Sequence, residues 1–211
     1  IEGLAGVTVP KPHSAVDMDT VSHYLSALER KAGLPRGDVK MLSVMTETAQ
    51  AFLSAATYGH GARPRLTGVL WGAEDLSAAL GATANTDING ELSFTYQMAR
   101  SFCLAAAAAS ESQPIDTVFS DFKDSEGLKA NCRAARREGF LGKIAIHPNQ
   151  VDIINETFTP SIDEIAHATA VITAFDSNPG KGTVGLKGTM LDRPHLVQAQ
   201  RVMAMAKDSG K

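Results

Sequence analysis

Short apolar runs alternate with longer segments of helical period along most of this chain. "GVTVP" (6–10) is a β-branched run stopped by proline, the pattern of a buried strand. "SAVDMDTVSHYLSALERKAG" follows, with Val21, Tyr24, Leu25 and Leu28 on one helical face and Gly33 as a stop. "KMLSVMTET" (40–48) predicts a second strand that runs into a helix over "AQAFLSAATYG". "LTGVLWGAEDL" (66–76) predicts a third strand emptying into a glycine-containing turn. "ELSFTYQMARSFCLAAAAA" predicts a long helix, because Ala and Leu are strong helix formers. "IDTVFSDF" predicts a strand, "SEGLKANCRAARREGF" a helix and "KIAIHP" a fifth strand. Two more helices follow, "SIDEIAHATAVITAF" and "DRPHLVQAQRVMAMA". The first opens with Ser161 and Glu164 at capping-box spacing. Between these helices, "DSNPGKGTVGLKGTML" is glycine-rich with no strong period and reads as a long loop or loose hairpin, a common form for a lid.

Five alternations of strand and helix predict an α/β fold with a parallel sheet and right-handed crossovers. The pattern fits an open doubly wound sheet or part of an eight-stranded barrel equally well. No G-x-G-x-x-G follows the first strand and no P-loop is present, so a nucleotide-binding sheet loses ground. With 211 residues, 44% hydrophobic and 20% charged, the chain can bury one substantial globular core. A net charge of -3, without a run of basic residues, argues against a nucleic-acid surface. No apolar stretch reaches the roughly 18 residues of a membrane span. Cys103 and Cys132 lie in Ala-rich helical segments and read as buried thiols, which fits a cytoplasmic location.

Candidate chemistry gathers at the predicted strand ends. Glu47 closes the second strand, and Asp75 and Asp121 follow the next two. In parallel α/β folds the carboxyl ends of the strands form the active face. Carboxylates delivered there together repel one another unless a cation intervenes, and Mg2+ suits one or two carboxylates with water and substrate oxygens. Each acid could equally cap the helix that follows it. Lys11 at the end of the first strand could meet a phosphate or substrate carboxylate, or be a solvated charge. His60 and His195 read as solvated surface. His147, beside Pro148, invites assignment as a general base.

"MTETA", "GAEDLSAALGA", "IDTVFSDFKDSEGL", "GKIAIHPNQVDIINETFTPS" and "GTMLDRPHLVQAQ" together resemble the citrate lyase beta-subunit-like family. These are magnesium-dependent acyl-CoA carbon–carbon lyases, alongside the malyl-CoA and citramalyl-CoA lyases. The resemblance implies a TIM (β/α)8 barrel. The five strands here would be the fourth to eighth, so the first three, and a substrate-binding Arg on the third, have no counterpart. A native polypeptide longer by several tens of residues is expected, with a partial barrel over 1–175 and a C-terminal lid and helix segment over 176–211. Carried over, Glu47 and Asp75 match the magnesium ligands. Glu74 matches a neighbouring acid, read as supporting. Asp192 matches an acid presented to an adjacent subunit's active site, and a helix cap with Pro194 in the first turn fits it equally. The turn His147, Pro148, Asn149 and Gln150 would bind the CoA chain, largely through backbone groups. The implied reaction splits a β-hydroxyacyl-CoA thioester into an acyl-CoA and a 2-oxo acid, with Asp192 as base, in a homotrimer or hexamer. A thioesterase, and a non-catalytic CoA-binding or citryl-carrier lyase subunit, are the alternatives. "NTDINGELSFTYQ" departs from the family in being acidic and polar.

Overall fold

The computed structural model describes residues 3–208. The chain divides after Ile154 into two compact units. The first holds five strands: β1 (Gly6–Val9), β2 (Lys40–Val44), β3 (Leu66–Leu70), β4 (Gln113–Asp116) and β5 (Gly142–Lys143). They pair in parallel in the order of the chain, β1-β2-β3-β4-β5. A doubly wound sheet reverses its strand order part-way. This one does not, so it has the winding of an arc of a (β/α) barrel.

Helices fill the connections: α1 (Ala15–Ala32), α2 (Ala49–Leu53), α3 (Ala73–Leu80), α4 (Phe94–Ala109) and α5 (Ser125–Glu138). Ser14 caps α1, accepting the Val16 N–H, and Gly33 ends it in the left-handed region. The expected helix over 49–59 breaks at Ser54 into α2 and a 3-10 turn, Ala55–Gly59. Val69, Trp71, Met41, Leu76 and Tyr58 are buried in this unit's core.

Two predicted strands are shorter than their apolar runs. β4 stops at Asp116 and β5 at Lys143. The Gln150 side chain accounts for the parting. Its Oε1 accepts the Ile146 N–H and its Nε2 donates to the Phe119 carbonyl, so the amide takes the backbone groups a longer ladder would have joined.

The chain continues through α6 (Val151–Phe158), and the second unit holds α7 (Ile162–Asp176), β6 (Thr183–Leu186), β7 (Thr189–Asp192) and α8 (Arg193–Asp208). The capping box at Ser161 and Glu164 forms. The glycine-rich stretch is an antiparallel hairpin, β6 with β7. Lys187 and Gly188 form its two-residue turn with φ of 48° and 82°, the conformation that matches strand twist. Val184 and Leu191 point inward onto Ala168, Val171, Phe175 and Ala199. No helix among the described residues is long and apolar enough to cross a membrane.

Candidate functional site

Glu47 and Asp75 lie beyond the carboxyl ends of neighbouring strands β2 and β3, and neither is a helix cap. Thr48 caps α2, accepting the Ala51 N–H at 3.0 Å. Gly72 is the N-cap of α3, with Asp75 in the first turn, where the helix dipole favours a negative charge. The carboxylates are therefore available to something else. Lys11 touches both. Its backbone N–H donates to Glu47 Oε2 at 2.7 Å and its ammonium lies 2.8 Å from Asp75 Oδ1. To do so Lys11 adopts φ 51°, a left-handed conformation that costs a side-chain-bearing residue about 1–2 kcal/mol. Close approach of Glu47 also needs Gly72: a Cβ there would stand 2.9 Å from Glu47 Cγ.

The two carboxyl groups are close enough to act on each other. Burial pushes the Glu47 carboxyl up from its ordinary range and the neighbouring Asp75 adds to this, against the Lys11 N–H. The Lys11 ammonium holds Asp75 below the usual carboxylate range, and Asp75 in turn raises Lys11. Half-buried acids held this close together, with one ammonium between two carboxyl groups, form a donor set suited to a hard divalent ion. Among the described residues no third His, Cys, Asp or Glu joins them to make a metal cluster. Two carboxylates, with water and substrate oxygens filling the other positions, are what Mg2+ takes.

The remaining candidates are dispersed. Glu74 accepts from Asn85 Nδ2 at 2.9 Å and so ties α3 to the following loop. Asp121 is exposed and accepts the Lys123 N–H; it does not join the pair. His147 caps the turn Pro148–Gln150, its Nδ1 accepting the Asn149 N–H, and its ring stacks on Phe122 at 4.6 Å. Gln150 is buried and committed to backbone groups. Asp192, in the second unit, ends β7 half-exposed, with Oδ1 2.5 Å from His195 Nδ1. His60 is exposed at the end of the 3-10 turn. Both cysteines are buried free thiols, and burial pushes each up.

A second ionic cluster escapes the sequence reading. Asp116 is buried at the end of β4 and accepts from Trp71 Nε1 at 2.8 Å, Lys143 Nζ at 2.9 Å and Arg100 Nε at 3.3 Å. Arg100 also pairs with Glu138 and lies over the Phe140 ring. Lys143 and Arg100 hold Asp116 low against the opposing effect of burial. The signal was present: Asp116 and Lys143 are opposite charges at paired positions on adjacent strands. This cluster borders a cavity of about 590 Å3 that also reaches Glu74 and Asn85, but Glu47, Asp75 and Lys11 are not among its walls.

Residues 2–148 match the HpcH/HpaI aldolase/citrate lyase family, a span that contains Lys11, Glu47 and Asp75. The chain belongs to that family. Among its relatives, a (3S)-malyl-CoA thioesterase of Cereibacter sphaeroides is 35% identical over 202 residues, 95% of this chain and 64% of that protein. The mitochondrial citramalyl-CoA lyase of Mus musculus is 40% identical over 143 residues, 67% of this chain and 41% of that protein. Of solved structures, the CitE protein of Mycobacterium tuberculosis in complex with magnesium, acetoacetate and coenzyme A superposes with a TM-score of 0.73 at 32% identity, over 96% of this chain and 68% of that one. The α/β architecture with its barrel-type winding is thus that of family members. The chain spans 64% of the thioesterase's length and less than half of the lyase's.

Proposed function

We propose that this chain carries the metal-binding part of a magnesium-dependent carbon–carbon lyase acting on β-hydroxyacyl-CoA thioesters. The observation that carries this is the convergence of Glu47 and Asp75 on one residue, Lys11, the first through its backbone N–H and the second through its ammonium. Family membership and the magnesium-bound CitE neighbour support it. Glu47 and Asp75 would hold the ion. When bound, it supplies Lewis acidity toward the carboxylate and adjacent oxygen of the 2-oxo acid half. Lys11, drawn off Asp75, would then add a positive charge at the same strand ends, where an anionic substrate group must lie. The turn 147–150 would engage the CoA chain through its backbone, since Gln150 is already committed. Asp192, presented by a neighbouring copy in a trimer or hexamer, would take the substrate hydroxyl proton as the carbon–carbon bond breaks. The thioester enolate then takes a proton at carbon, leaving an acyl-CoA and a 2-oxo acid. Positioned proton transfer of this kind contributes about 10²–10⁴-fold.

A second reading is a thioesterase on the same thioester class, favoured by the 35% identity to the malyl-CoA thioesterase over nearly the whole chain. It keeps Glu47 and Asp75 but delivers water to the thioester carbonyl. One experiment separates them. A panel of hydroxyacyl-CoAs is incubated with the full-length protein, with and without chelator, and glyoxylate or pyruvate and free CoA are measured. A lyase releases the oxo acid without free CoA, and a thioesterase releases free CoA. Turnover insensitive to chelator would refute both.

A further inference from the structure

Asp192 closes β7, and α8 begins at Arg193, with Pro194 and His195 in its first turn. His195 Nδ1 lies 2.5 Å from Asp192 Oδ1 and 3.2 Å from the Asp192 backbone nitrogen. One ring nitrogen cannot satisfy both in the same state. To accept the amide N–H, Nδ1 must be bare, with the proton on Nε2. To hold a carboxylate oxygen at 2.5 Å it must carry the proton, because otherwise two lone pairs face each other. The first arrangement is half of a capping box with His in the place Glu or Gln usually takes. The second is a carboxylate clamp.

We propose that His195 is a positioning residue for Asp192, clamping its carboxylate when Nδ1 is protonated and releasing it when Nδ1 turns to the Asp192 amide. The inference rests on the reading of Asp192 as the base. A clamped carboxylate shares its charge with the N–H and is the weaker base; a released one is stronger and can turn toward substrate. Which ring nitrogen carries the proton therefore sets how free the Asp192 carboxylate is, and a neutral ring protonated on Nδ1 still clamps it. The charged groups around the ring come from two helices. Arg193 precedes it on α8, and Asp163, Glu164 and His167 of α7 line with it a groove of about 450 Å3. Thr183, paired with Asp192 across the hairpin, is neutral.

The test compares Asp192→Asn, His195→Ala and His195→Gln in the intact protein. kcat and KM are measured for each variant. Ring-nitrogen NMR of His195 is recorded without substrate in wild type and Asp192→Asn. Glutamine can donate to the carboxylate and accept the amide N–H, and it does not titrate. The expectation is that His195→Gln, which can make both contacts, keeps kcat within about 3-fold, while His195→Ala lowers kcat about 10-fold at unchanged KM. The Nδ1 signal should move once Asp192 is Asn, because the ring then faces an amide in place of the carboxylate. Wild-type kcat in His195→Ala, or unchanged ring-nitrogen signals in Asp192→Asn, would overturn the proposal. Should Asp192→Asn remain active, the reading of Asp192 as base falls. Should it be inactive while His195→Ala matches wild type, only the present inference falls.

Discussion

Two ionic clusters stand at the carboxyl ends of one parallel sheet, and they are built on opposite principles. At β4 and β5, Asp116 is buried with an ammonium, a guanidinium and an indole N–H around it. At β2 and β3, Glu47 and Asp75 are half-exposed and share one lysine. The first cluster is satisfied within the protein. The second carries more negative charge than Lys11 balances, and it is held together by a left-handed lysine and a glycine without a side chain in the way. Buried polar networks with every group partnered fix a structure. A site left short of positive charge at a strand end is suited to an ion that arrives with substrate.

The comparison breaks first if the two clusters respond alike to loss of one member. Glu47→Gln or Asp75→Asn is expected to lower kcat/KM by on the order of 10³-fold, about 4 kcal/mol. In Glu47→Gln stability should not fall, because removing the raised one of two facing carboxylates relieves repulsion. Thermal unfolding in chelator and calorimetric titration with Mg2+ check the two halves. An active variant with wild-type magnesium affinity would remove the site. Lys143→Met should do the reverse. It leaves Asp116 buried without its ammonium, which costs about 3 kcal/mol, the low end for a broken buried pair because Arg100 and Trp71 still reach the carboxylate. Urea unfolding would show this, and an unchanged midpoint would mean the cluster is not what holds these strand ends.

Gly72→Ala sharpens the contrast by disturbing geometry alone. The new Cβ would stand 2.9 Å from Glu47 Cγ, so the glutamate must shift while its charge stays. A displacement approaching 1 Å at a reacting centre costs about 10²-fold. The expected result is that loss in kcat/KM with a stability change of only about 1 kcal/mol. Equal losses in activity and stability would mean that Gly72 serves packing rather than the site.

How much of this was legible depends on whether the cause is local. The alternation of strands with helices and the position of Glu47 and Asp75 follow from apolar runs and their endings, which a sequence displays; the order of the strands in the sheet does not, and was implied only by the family resemblance. The ends of β4 and β5 do not. "TVFSDF" has the β-branched and aromatic composition of a strand, but a strand exists only where a neighbour pairs with it, and the distant Gln150 amide intervenes there. Lys11 was visible as a charge at a strand end. Its hold on two acids was not, because it depends on a positive φ between Pro10 and Pro12 that runs against the usual preference before proline. The hairpin β6–β7 was half visible: its glycines hide the alternation of Val184, Leu186 and Leu191, although Lys187–Gly188 is a plausible turn.

The smallest expected effect is in pH dependence, and it too divides the satisfied ion pairs from the candidate site. Glu29 is buried on α1 and accepts from both terminal nitrogens of Arg65 and from the backbone N–H of Gly37 and Val39. Bonding to Arg65 lowers its carboxyl from 4.5 to about 2, against burial. A folded value below the unfolded one means that the contribution to stability is full above about pH 4.5 and is lost as pH falls toward 2. Glu47 has the opposite sign. Its folded value is raised, so its ionisation on the neutral side works against the fold rather than for it. Chemical unfolding measured at intervals from neutral pH to pH 2, in chelator, should show stability falling on the acid side in wild type. The fall should be shallower in Glu29→Gln, whatever that variant's stability at neutral pH, and no shallower in Glu47→Gln. An acid limb that flattens in Glu47→Gln and not in Glu29→Gln would invert the assignment, making the strand-end pair the structural one.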